Sequence, residues 1–168
     1  QLALACAVIA AAAVAWTFAL GLVAFPDAVQ AIAPEGLALC ALTLAVYASM
    51  ALAFGFMLGQ FGISALMCNA FGNIFGMLIS FLGGAWVAID LLSPGVQALS
   101  RWLPGFWYTD ACQKAAHLSG GAGLQDVLPD VGVLVLFAAA FLAVGFAAAK
   151  RRLQTSEAGG NRAAEAVM

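Results

Sequence analysis

Few side chains in this sequence can do chemistry, so the positions of those few carry weight. Histidine occurs once, at His117. Cys6, Cys40, Cys68 and Cys112 form no CxxC pair, which leaves a zinc site or a redox couple nothing to build on. Three of the four lie inside apolar runs, where a thiol behaves as a small hydrophobe. No HExxH and no Walker A run occurs, so neither zinc-protease chemistry nor a P-loop ATP site is written in this chain. The informative polar groups are Asn69, Asn73 and Asp90. The two amides stand four residues apart, on one face of a helix. That face meets either water in a translocation path or another helix, where an interhelical hydrogen bond contributes roughly 1 kcal/mol. Asp90 is the acid embedded in an apolar run. It is a functional candidate if buried in the membrane, and an ordinary wet carboxylate if it sits at headgroup depth.

The elements that position these groups follow from composition. Of 168 residues, 65% are hydrophobic and 8% charged, and the mean hydropathy is +1.04. Soluble domains run nearer half apolar and a quarter charged. The expectation is an all-α, polytopic transmembrane helix bundle. A helix needs roughly 20 apolar residues to cross the hydrocarbon. Uncharged runs of that size place full spans at about 2–25, 37–59 and 63–82, with a fourth at 131–149 behind Asp130, which is positioned to cap it. Residues 26–36, with two prolines and two acids, read as an exposed loop.

The third apolar run continues to Leu92, too far for one span. Gly83 and Gly84 are the natural break, because paired glycines weaken a helix interior. Beyond them, 85–92 and 96–103 read as half-length helices joined by the turn Ser93-Pro94-Gly95. They predict a re-entrant or interfacial hairpin over 84–103. Trp102, Trp107 and Tyr108 then read as interfacial anchors, since Trp and Tyr favour the membrane–water boundary. A short surface helix is expected at 109–118, ended by Gly120-Gly121, followed by a loop to Pro129. The tail 150–168 reads as polar and disordered. Gly55/Gly59 and the longer ridge Gly72, Gly76, Ser80, Gly84 offer small-residue surfaces for close helix contact.

Four of the six basic residues, Lys150, Arg151, Arg152 and Arg162, lie in that tail. The excess of Lys and Arg on cytoplasmic ends puts the tail, and with four spans the N-terminus also, in the cytoplasm of a multi-pass cell-membrane protein, of the bacterial cytoplasmic membrane. A net charge of −2 gives no reason to expect a nucleic-acid partner.

Asn69-Ala70-Phe71-Gly72-Asn73, the apolar span behind it, and Phe81-Leu82-Gly83-Gly84 resemble the fifth span of ABC-2 type permeases. The connection from Ser93-Pro94-Gly95 through Trp102-Leu103-Pro104-Gly105-Phe106-Trp107-Tyr108 is similar to that family's hairpin and "Leu-Pro" element before the last span. The resemblance covers most of residues 37–152. It departs from the family at Ala85-Trp86, where a proline is usual, and in showing four spans where six are usual, so that the cytoplasmic coupling loop would precede Gln1. The resemblance implies the permease part of an ATP-driven exporter. In such an exporter no cofactor is bound by this chain, ATP sits on a separate ATP-binding cassette subunit, and a second permease half, identical or not, completes the path. Two other readings share the composition. One is a membrane scaffold or assembly subunit. The other is an intramembrane hydrolase, for which Gly62-Ile63-Ser64-Ala65 resembles a rhomboid-type nucleophile setting but no span supplies a histidine.

Overall fold

The computed structural model describes residues 2–118 and 124–165, and every regular element among them is helical. In chain order these are α1 (Leu2–Ala24), α2 (Pro26–Gln30), α3 (Pro34–Gln60), α4 (Ala65–Leu82), α5 (Pro94–Ser100), α6 (Pro104–Ala116) and α7 (Leu124–Glu165). Four of the seven begin on a proline. At a first helical position proline gives up an N–H that would have no intrahelical partner, and its fixed φ already suits the helix. α4 begins differently. Ser64 is its N-cap, and the Ser64 Oγ accepts from the Met67 amide at 3.3 Å.

These starts correct several expected boundaries. The stretch 26–36 is not an open loop, because Pro26 and Pro34 each restart a helix there. The short helix expected at 109–118 begins at Pro104 instead. Part of the loop expected before Pro129 is already helix from Leu124, so Asp130 lies inside α7 rather than capping it. α7 also continues to Glu165, through the stretch from Leu153 that composition reads as an unstructured tail. Gly120 and Gly121 lie outside the described residues.

Three described helices are long and apolar enough to cross a membrane: Pro34–Gln60, Ala65–Leu82 and Leu124–Arg152. Within α1, Val14–Ala24 is a shorter apolar helix. α3, α6 and α7 pack mutually and form the centre of the bundle. Ala111 and Ala115 of α6 and Val127 of α7 are fully buried there, against Leu39 and Cys40 of α3. α1 rests on α3, and α4 touches α3, α5 and α6 at the edge.

The break after the third apolar run has a clear local cause. Gly83 is the C-cap of α4, and Gly84 follows with φ +86°. The Ala85 amide donates back to the Ser80 carbonyl at 3.1 Å. A left-handed glycine with this six-to-one bond is the Schellman ending of a helix. The hairpin that follows has one helical arm rather than two. Residues 85–87 form a bend, Ile89–Leu91 is a single 3-10 turn, and only α5 beyond Ser93-Pro94 is α-helical. No cap or first-turn proline starts a helix here, unlike at Pro94, and Ile89 folds back over Gly84 instead. A Cβ at Gly84 would stand 2.7 Å from Ile89 Cγ1.

Gly83 then meets the start of α6. A Cβ on Gly83 would lie 2.7 Å from the Gly105 carbonyl carbon, and one on Gly105 would lie 2.6 Å from both the carbonyl oxygen and Cγ2 of Ile79. Backbone touches backbone at this crossing. The glycine ridges expected to make close contacts do not: Gly55, Gly59, Gly72 and Gly76 have open space where a Cβ would go. Replacing Gly105 by Ala is therefore expected to destabilise the protein by about 1–3 kcal/mol through overpacking, whereas Gly72→Ala leaves stability unchanged or slightly raised. Thermal unfolding of the two variants in the same detergent micelle distinguishes them, and equal melting temperatures would refute the crossing.

Candidate functional site: an apolar cleft beside a glycine crossing

The open glycines of α4 face a cleft. It has a volume of about 250 Å³ and lies between α3, α4 and α7, lined by Tyr47, Met50, Phe54, Gly72, Gly76 and Phe141, among others. Phe54 of α3 bridges its two walls. Its ring stacks on Phe75 of α4 at 4.8 Å and tilts against Phe141 of α7 at 5.2 Å. Such aromatic pairs contribute about 0.5–1.5 kcal/mol beyond their burial, so Phe54 joins helices that otherwise barely meet. The cleft is smaller than pockets that take a drug-sized ligand, roughly 300–1,000 Å³. In this arrangement it is a narrow apolar wedge.

Asn69 and Asn73 lie on α4 outside the wedge, and both are exposed. Their hydrogen bond runs along the helix, from Asn73 Nδ2 to Asn69 Oδ1 at 3.2 Å. The amides are thus paired with each other across one turn. Leu66, Ile74 and Met77 of the same helix are also more than half exposed.

Asp90 sits in the 3-10 turn and is exposed. Pro94 starts α5. Ser93 occupies its N-cap position without a side-chain cap bond, while the Ser93 carbonyl accepts from the Val96 and Gln97 amides. Trp102 is exposed. Trp107 is partly buried and donates its indole N–H to the Arg101 carbonyl at 2.9 Å. Tyr108 turns inward, its ring 4.6 Å from that of Tyr47 on α3. The three aromatic residues therefore have three different surroundings. Ser64 uses its hydroxyl oxygen as a helix cap, and His117 Nδ1 lies 2.9 Å from the Gln113 carbonyl.

One ionic cluster escaped the sequence reading. Lys114 Nζ stands 2.8 Å from Asp110 Oδ2 on the same helix and 2.7 Å from Asp130 Oδ2 on α7. Asp130 is 2% exposed, so its charge depends on this partner. Burial acts to lower the Lys114 pKa, but the hydrogen bonds to Asp110 and Asp130 outweigh it, and the ammonium is held above the usual lysine value. The i,i+4 spacing of Asp110 and Lys114 could have revealed half of the cluster. The contact with Asp130 crosses a connection whose path no local pattern encodes. Close by, Cys112 returns to α3, with its carbonyl oxygen 3.8 Å from Cys40 Sγ.

An all-helical bundle with three described helices long and apolar enough to cross a membrane, and an interrupted segment between α4 and α6, fits a polytopic membrane protein. Residues 2–147 match the description "ABC-2 family transporter protein", and the chain belongs to that family. No curated protein and no solved structure shows a significant match.

Lys114→Met is expected to lower stability by about 1–3 kcal/mol, because it strands a buried carboxylate. Adding Asp130→Asn should restore much of the loss, and a double-mutant cycle in thermal melting reads the coupling. The pH dependence has a definite sign. A lysine whose folded pKa is raised contributes fully below its unfolded value, and that contribution is lost as pH rises through the folded value. The wild-type melting temperature should therefore fall above the usual lysine range, and the fall should be smaller in Lys114→Met, where the burial-raised Tyr108 still contributes to it.

Proposed function

We propose that this chain is the membrane-spanning permease subunit of an ATP-driven exporter and works with a separate ATP-binding cassette subunit. The observation that carries the reading is the family match over residues 2–147. The chain has no Walker A run of its own, which is consistent with ATP hydrolysis on a partner. In this reading α1, α3, α4 and α7 are four spans, with the Lys150-Arg151-Arg152 end of α7 and the start of α1 on the cytoplasmic side, in keeping with the bias of basic residues toward that side.

The second permease half, identical or not, covers the exposed face of α4. An amide pair facing hydrocarbon leaves donors and acceptors unmatched at a cost of several kcal/mol. Asn69 and Asn73 satisfy only part of their capacity by bonding each other, so a partner helix or a wet path is the better neighbour. Asp90 and the segment from Gly84 to Leu103 lie at the outer end. There Gly83, Gly84 and Pro94 shape the break, and Trp102 and Trp107 hold the segment near the headgroups, whereas Tyr108 packs inward on Tyr47 and serves the bundle instead.

Co-reconstitution with a candidate ATP-binding cassette subunit should give ATPase activity stimulated by substrate. Replacing both Asn69 and Asn73 by Leu should lower that stimulation roughly fivefold, the equivalent of one interhelical bond of about 1 kcal/mol. A scaffold would show no stimulated hydrolysis. Wild-type stimulation in the double-leucine variant would remove the polar role of that face.

A further inference from the structure

A second cleft lies at the opposite end of α4 from the glycine crossing, where α7 leaves the bundle. It has a volume of about 490 Å³, and its lining includes Gln60 and Phe61 at the end of α3 and Val144, Ala148, Arg151 and Arg152 on α7. Each of these α7 residues lies three or four positions from another, so together they form one face that changes from apolar to cationic within a single turn. The apolar run of α7 ends at Ala149, and Lys150, Arg151 and Arg152 follow. The floor of the cleft is therefore at hydrocarbon depth and its rim at headgroup depth.

The rim is partly preorganised. Arg152 Nη1 donates to the Gly59 carbonyl at 3.5 Å, one of the last α3 carbonyls, which lack a helical partner. A Cβ on Gly62, in the turn that follows with φ +72°, would stand 3.5 Å from Arg152 Nη2. The guanidinium is thus laid across the α3–α4 turn. It has five N–H donors in a planar fork that fits phosphate oxygens. Among the described residues, those lining the cleft include no Asp or Glu. Phe61, more than half exposed, and Val144, nearly so, leave apolar surface directly below the two arginines.

We propose that this cleft is a binding site for one anionic phospholipid. Its phosphate would be held by Arg151 and Arg152, and the start of an acyl chain would lie on Phe61, Val144 and Ala148. Charge alone would suit any phosphate, but the apolar floor below the guanidiniums fits a ligand that carries a hydrocarbon chain next to its phosphate. The lipid is a resident ligand rather than cargo. The proposal requires α3 and α7 to lie in the bilayer and does not depend on the exporter reading.

The test is native mass spectrometry of the full chain released from nanodiscs that hold phosphatidylglycerol and phosphatidylcholine with identical acyl chains. The wild type should retain one phosphatidylglycerol in preference to phosphatidylcholine. Arg151→Gln/Arg152→Gln should weaken that preference roughly tenfold to thirtyfold, at the scale of juxtamembrane basic residues. Arg151→Lys/Arg152→Lys, which keeps the charge and loses the fork, should fall between. Ala148→Leu, which fills the floor without touching charge, should also weaken retention, while Arg101→Gln at the other end of the bundle should not. Equal preference in wild type and the double glutamine variant would overturn the proposal, as would a loss with Arg101→Gln as large as with the cleft variants. Displacement of the lipid by millimolar glycerol phosphate would assign the site to a soluble phosphate instead. Capture of an acidic peptide with no discrimination between lipids would make it a protein dock. Matching melting temperatures across the variants exclude misfolding as the cause, and the lysine pair provides the same comparison if the glutamine pair does not fold.

Discussion

The closest constraint in this molecule is the meeting of two backbones at Gly83 and Gly105. A membrane helix that stops inside the protein must find partners for its last carbonyls, since lipid offers none. α4 solves this with a left-handed Gly84 and the bond from the Ala85 amide to the Ser80 carbonyl. The same lack of side chains lets α6 begin directly against the last turn of α4. Everything between the two, the 3-10 turn and α5, is a chain segment returned to its starting point by that contact. Without the crossing, α4 would touch the bundle chiefly through Phe54 and Phe75.

The central trio of α3, α6 and α7 depends on a different force. Hydrocarbon competes with no helix for apolar surface, so the bundle is joined by close packing and by polar contacts. At one end the fully buried Ala111 and Ala115 allow close approach. The Lys114 ammonium, shared between Asp110 and Asp130, pins α6 to α7 close beside them. Such a pair is costly to break and adds little over an apolar replacement, so its value lies in fixing which turn of α7 faces α6.

The length and hydropathy of residues 34–60 and 65–82 made two spans readable directly, and the paired glycines located the end of the second. Pro94 reads correctly as a first helical position behind Ser93, whereas Pro26 and Pro34 read as loop residues. Both begin helices, and a first-turn proline looks the same in sequence as a loop proline. The start of α7 was missed because Pro129 and two acids hid seven helical residues ahead of Val131. The glycine ridges were misplaced for a statistical reason. In a chain with 18 glycines, i,i+4 pairs arise freely, and only three-dimensional neighbours distinguish Gly105, which touches a backbone, from Gly72, which touches nothing. In the candidate site, Asn69 and Asn73 could be placed on one face from spacing alone. Their bond to each other, the wedge behind them and the arginine cleft required the packing.

α4 is tethered at both ends, by the four-residue turn 61–64 at its start and by the crossing at Gly83. A link of four residues reaches at most about 14 Å, little more than one helix diameter, so α4 cannot depart from α3 without unwinding. The side toward the wedge is smooth at Gly72 and Gly76. At 100° per residue the asparagine stripe lies about 60° around the helix from that glycine stripe. A roll of one sixth of a turn would bring two amides to where the glycines now stand and turn the wedge from oily to wettable, but only by parting Gly83 from Gly105 and Phe75 from Phe54; the crossing and the aromatic stack are therefore what keep the wedge oily.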